Sequence, residues 1–152
     1  MEMTEKSRVF TKKKALTIVF ACALALLALI LICRFMNRGP DLSTKEGREM
    51  FLSELGWQVD MTSETCRSVL IPDALDGVLE RYNEMQLEQG YDLSRHLGER
   101  CEQYTYILEN YPEATGGVFI TIYVQNGKII AGDIHTSSIN GFMHGIRRAG
   151  DG

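Results

Sequence analysis

The longest stretch of uniform character in the chain runs from Ala15 to Cys33: nineteen uncharged residues in which only Thr17 and two cysteines interrupt aliphatic and aromatic side chains. At 1.5 Å per residue, a helix of that length covers about 30 Å, the hydrocarbon thickness of a bilayer. Eleven of the nineteen are Leu, Ile, Val or Phe, each favouring insertion by about 0.3 to 0.6 kcal/mol at a helix centre. The pattern predicts a single transmembrane helix over 15–37, with a basic tail at 1–14 and a polar linker at 38–43, where Pro40 stops helical structure. A cleaved secretory signal fits less well, because Ala21, Ala23 and Ala25 lie in mid-run with Leu26 to Ile32 still to follow. A lipoprotein is disfavoured because Ile32 precedes Cys33 and Ala21-Cys22 comes too early.

Beyond the linker the pattern changes to one of short periodic elements, read as one domain over 44–148. The first helix is predicted over 44–55, with a capping-box spacing at Ser43 and Glu46 and Gly56 placed for a left-handed stop. Met50, Phe51 and Leu55 give that helix a narrow apolar stripe. Extended segments follow at 57–61 and 65–71. A longer helix starts at Pro72 and ends before Gly90, and Leu75, Val78, Leu79, Tyr82 and Met85 recur at helical spacing as its buried face. Alternation over 100–108 places Glu102, Tyr104, Tyr106 and Leu108 on one side of a strand and Cys101, Gln103, Thr105 and Ile107 on the other. Residues 118–124 and 128–134 are two further strands, joined through Asn126-Gly127 as a tight hairpin. The predicted fold class is α+β: the transmembrane helix, then two helices packed on a mainly antiparallel sheet of four to five strands.

Charge divides the chain in the same way. Residues 1–38 hold seven basic and two acidic side chains, net +5; residues 39–152 hold nine and eighteen, net −9, which together give the chain's −4. The Lys12-Lys13-Lys14 cluster beside the apolar run predicts a cytoplasmic amino terminus and an exported body at the cell membrane. A body so acidic is poorly suited to nucleic acid, whose phosphates require a basic footprint. Cys22 and Cys33 read as apolar filler. Cys66 and Cys101 read as free thiols, with one disulfide between them as the alternative in an oxidising exterior. Ala21 and Ala25 have small-xxx-small spacing, which permits helix contact without specifying an oligomer.

Several segments in order resemble a small family of uncharacterised proteins of clostridial-type Gram-positive bacteria, classed only as a domain of unknown function. They are Phe51-Leu52-Ser53-Glu54-Leu55-Gly56-Trp57, Ile71-Pro72, Tyr82-Asn83-Glu84-Met85-Gln86 through Gln89-Gly90-Tyr91-Asp92-Leu93, Tyr104-Thr105-Tyr106 with Asn110-Tyr111-Pro112, Gly132-Asp133-Ile134, and Gly141-Phe142-Met143-His144-Gly145. Ala131 stands where a second glycine is expected. The resemblance implies a bacterial, anchored or secreted single domain and supplies no catalytic residue.

The residues themselves offer one candidate site, the segment 132–145. Asp133 and His135 are two apart, so a strand presents both on one face. Joined by His144 they form a donor set suited to a divalent metal, while Phe142 and Met143 are candidate partner contacts. In the plainer alternative Asp133 caps a turn, His135 lies at a sheet edge, His144 packs beside Phe142, and Gly141 to Gly145 is a docking turn. No serine elbow, phosphate loop, dinucleotide fingerprint or cysteine zinc pattern is present in the sequence, so no cofactor is expected. Six tyrosines suit recognition, or the rim of a core. The sequence therefore predicts a membrane-anchored, non-enzymatic module binding a protein or envelope component. The alternatives are a metal-dependent or hydrolytic enzyme centred on Asp133, His135 and His144, and a regulatory subunit of a membrane complex.

Overall fold

The computed structural model describes residues 17–32, 39–112, 117–138 and 141–147. The expected basic tail, both ends of the expected membrane span, Cys33 and the end of the domain lie outside them. The chain forms two compact units, Met1–Gly39 and Pro40–Gly152. In the first, residues 17–32 form helix α1, with every side chain exposed. Among the described residues no helix is long and apolar enough to cross a membrane. The described part of α1 amounts to about 24 Å at 1.5 Å per residue, short of a hydrocarbon core of about 30 Å.

The second unit opens with Pro40, and Leu42 is already buried in its core with its N–H donated to the Gly127 carbonyl (3.0 Å). Part of the expected linker therefore belongs to the domain. Helix α2 spans Lys45–Glu54. Its cap is Thr44, whose hydroxyl accepts the Gly47 N–H, rather than Ser43, which bonds the Asp41 carboxylate instead. Gly56 takes the left-handed conformation expected of the stop (φ 77°).

Strand β1, Val59–Leu70, joins the two expected extended segments. Its register breaks between Asp60 and Thr65, and there the Ser63 hydroxyl accepts the N–H of Ile107 (2.8 Å), replacing a backbone partner. Helix α3 is Gly77–Glu88, capped by Asp76, so Pro72 lies before the helix and does not start it. A 3-10 turn at Leu93–His96 leads to β2 (Arg100–Leu108), β3 (Val118–Gln125) and β4 (Lys128–Thr136). Asn126 and Gly127, both at positive φ (50° and 72°), make the β3–β4 hairpin turn as expected. The segment read as a docking turn is instead a fifth, edge strand, β5 (Met143–Gly145). The sheet order is β1-β2-β3-β4-β5, every neighbour antiparallel.

Alternation divides the core between the two faces of the sheet. Tyr106, Leu108, Val118, Ile120, Ile122, Val124 and Ile134 pack with Leu52 of α2 and with Trp57 and Ile146. Cys101, Ala131 and Tyr123 pack on the other side with Tyr82 of α3, Ile71 and Leu93. The two helices thus cover opposite faces. Cys101 pairs with Val69, an odd number of positions from Cys66, so the two thiols point to opposite faces. Both cysteines are free, Cys66 exposed and Cys101 buried.

On the α2 face, Arg48 is 4% exposed. It donates to Glu64 (2.9 Å), to the Tyr106 hydroxyl (2.7 Å) and to the carbonyls of Leu42 and Ser43, and it lies 3.8 Å from the centre of the Tyr104 ring. Burial opposes ionisation of Glu64, but Tyr106 and Arg48 outweigh it and hold the carboxyl below its usual range. The cluster pins α2 to β1 and β2.

Candidate functional site

Strand β4 places Asp133 and His135 on the α3 face, opposite Thr121 and Phe119 of β3. Asp133 is 2% exposed, and a buried carboxylate requires donors. It has two. The Tyr82 hydroxyl, brought from α3, donates to Oδ2 (2.7 Å), and His135 Nδ1 lies 2.8 Å from Oδ1. The hydrogen bond to Asp133 raises the His135 pKa above its ordinary value, against the smaller opposing effect of burial. Burial first, and then the Asp133 charge, push the Tyr82 phenol far above its ordinary range, so the hydroxyl stays a donor. Tyr123 meets Tyr82 edge to face (6.2 Å) and accepts from Gln103 (3.0 Å). Thr105 and Thr121 are bonded to each other (2.8 Å), and the His135 ring stacks on Phe119 (5.8 Å).

This polar floor closes one side of a cavity of about 570 Å³ between α3, the segment before it and the sheet, within the usual range of small-molecule sites, about 300–1,000 Å³. Leu75, Leu79 and Met85 line its wall, and Leu70, Val78 and Met143 lie at its rim, 54%, 69% and 57% exposed. Arg81 also lines it and has no hydrogen-bond or ionic partner among the described residues.

The sequence-predicted residues divide between two places. Asp133, His135 and Met143 meet at the cavity. His144 pairs with Ile134 and so projects to the opposite face. There its Nε2 lies 2.9 Å from the Tyr111 hydroxyl and its Nδ1 2.7 Å from the Gly145 carbonyl. Phe142 stacks on Tyr111 (5.0 Å) and His144 (5.5 Å), and Tyr111 stacks on Trp57 (6.2 Å). The proposed trio of metal ligands therefore does not converge. Among the described residues no group of three or more His, Cys, Asp or Glu side chains is placed to hold a metal ion.

Sequence reasoning passed over Tyr82, Arg81, Gln103, Thr121 and Tyr123 as site residues, and it misjudged the buried face of α3. Val78 is exposed, while Asn83 and Gln86 are buried, followed by Gln89 after the helix end. Gln86 lies flat against the backbone of Gly132: it accepts the Gly132 N–H (2.8 Å) and donates to the Gly132 carbonyl (3.0 Å). Gln89 also donates to that carbonyl (3.1 Å) and accepts from the Ile146 N–H (2.6 Å). The two amides act as a surrogate strand beside β4 where β5 ends. The three-residue spacing of Asn83, Gln86 and Gln89 was the available signal.

A domain of unknown function (DUF4830) matches residues 51–134. The chain belongs to that family. No curated protein and no solved structure matches it. The DUF4830 segment begins within α2 and ends at Ile134, so it contains Tyr82, Gln86 and Asp133, whereas His135 and β5 lie just beyond it.

Proposed function

We propose that this DUF4830 protein is a non-enzymatic binding module, held at the cell membrane by its amino-terminal segment with the acidic body outside. The cavity beneath α3 carries the reading: a half-open, mostly apolar volume with an ordered polar floor and an uncovered apolar rim is the form of a ligand site. Anchoring is supported by the nineteen uncharged residues from Ala15 to Cys33 and by the exposure of their described side chains, since a helix apolar all round needs an apolar surrounding. The basic tail favours an inside amino terminus.

The test is extraction of small molecules from the full chain, purified from its own membranes, followed by mass spectrometry. One species retained near stoichiometry is expected, and it should be lost from Thr121→Trp, which fills the floor. Equal recovery from both proteins, or none from either, overturns the reading. One observation favours hydrolysis as a second reading: Asp133 orients His135, leaving Nε2 without a partner among the described residues, the arrangement of a general base. Turnover of a retained ester or amide would decide for it.

A further inference from the structure

The one carboxylate of the polar floor is engaged, while two of the basic groups in the lining are not. Both oxygens of Asp133 are engaged, Oδ2 by Tyr82 and Oδ1 by His135, and the residue is 2% exposed, so burial keeps its carboxylate from a ligand's ammonium group. Among the described residues no other Asp or Glu lines the cavity. The basic groups that remain are the second ring nitrogen of His135, a donor when the ring is protonated, and the Arg81 guanidinium, both without partners among the described residues. The rest of the lining is mostly aliphatic, with Leu70, Leu75, Val78, Leu79, Met85 and Met143 reaching from the interior to the rim. Such a lining suits a chain of methylenes, and the donors suit a single anionic head.

Resting on the binding reading of this cavity, we propose that its ligand is an aliphatic monocarboxylate, its chain along the apolar wall and its carboxylate taken by His135 within the field of Arg81. The bond is a charge-assisted one from His135 Nε2–H, while Nδ1–H remains on Asp133. Asp133 thereby serves as a positioning residue: it fixes the imidazole's orientation and supports its cationic form without touching the ligand. Charge complementarity sets the head group: Asp133 already compensates a protonated His135, so the Arg81 guanidinium is the lining charge that favours an anion over a neutral alcohol and disfavours an amine.

Methyl-13C-methionine spectra of the full chain in phospholipid nanodiscs test this directly, since Met85 and Met143 line the cavity while Met50, on α2, does not. The probes are decanoate, 1-decanol and decylamine. Decanoate should shift Met85 and Met143 but not Met50, with affinity about tenfold or more above that of decanol. The double variant His135→Gln, Arg81→Gln retains a neutral donor beside Asp133, and in it decanoate should fall to the level of decanol while decanol is unchanged. If decanol binds as tightly as decanoate, or decylamine more tightly, the carboxylate assignment is overturned although the cavity still binds. If no probe moves Met85 or Met143, the assignment and the binding reading fail together.

Discussion

His135 is the cavity residue whose charge ordinary solution conditions can change. Its imidazole is half-buried against Phe119 and bonded to Asp133, and the bond to Asp133 raises its folded pKa above the unfolded value of about 6.5. A raised pKa means that the folded state binds the proton more tightly. The stabilisation is therefore complete below about pH 6.5 and is lost as pH rises through the folded pKa. The charged and titratable groups that share the cavity lining with the ring are Asp133 on its own strand, Tyr123 on β3, and Tyr82 and Arg81 on α3. Urea unfolding of the full chain from pH 5.5 to 8.5 should show stability declining across that window, with the decline flattened in His135→Gln. An unchanged slope in the variant would remove His135 as the cause. The pairing of Asp133 with His135 on one face was legible in the sequence because strand period is fixed at two. Their separation from His144 follows from the same rule, but it required knowing that 143–145 is a strand paired to β4.

At the scale of elements, α3 shows how a periodic pattern misleads. Leu75, Val78, Leu79, Tyr82 and Met85 look like a core stripe, yet only Tyr82 packs against the core cluster; Leu75, Leu79 and Met85 line the cavity, Val78 is exposed, and the fully buried contacts are amides. The physical reason is the short β5. Where it stops, the N–H and C=O of Gly132 lack a strand partner, and Gln86 supplies both halves of the missing pair. Gly145 is required beside this joint, since a Cβ there would fall 2.4 Å from the Gln89 amide carbon. Gln86→Leu keeps the volume but leaves two buried backbone groups unsatisfied. Denaturant unfolding should report a loss of about 1–3 kcal/mol, and hydrogen exchange at Gly132 should accelerate. A neutral effect would show that water replaces the amide. Elsewhere local signals were sufficient: β2 was delimited by its alternation and the β3–β4 turn by Asn126-Gly127. The α2 cap was misplaced by one residue because Ser43 is drawn to Asp41.

At the scale of the whole molecule, the two free thiols of the body report its topology. Cys66 is exposed on β1 and Cys101 is buried under α3. A membrane-impermeant maleimide added to intact cells should label the chain at Cys66, weakly, because burial and the nearby Glu102 raise that thiol's pKa. Cys66→Ser should abolish the label until the cells are opened and the protein unfolded. Labelling only after lysis would place the body inside the cell and overturn the proposed orientation.

Composition and periodicity alone determined the apolar amino-terminal run, the acidic body, the α+β class and most strand limits, because these depend on neighbours within a few residues. The tertiary structure decided which face each helix covers, that Gln86 completes a strand edge, and that Tyr82, fifty-one residues before Asp133, closes the floor of a cavity. Those outcomes depend on where α3 docks, and docking is set by unsatisfied backbone groups and free volume that exist only once the sheet has formed.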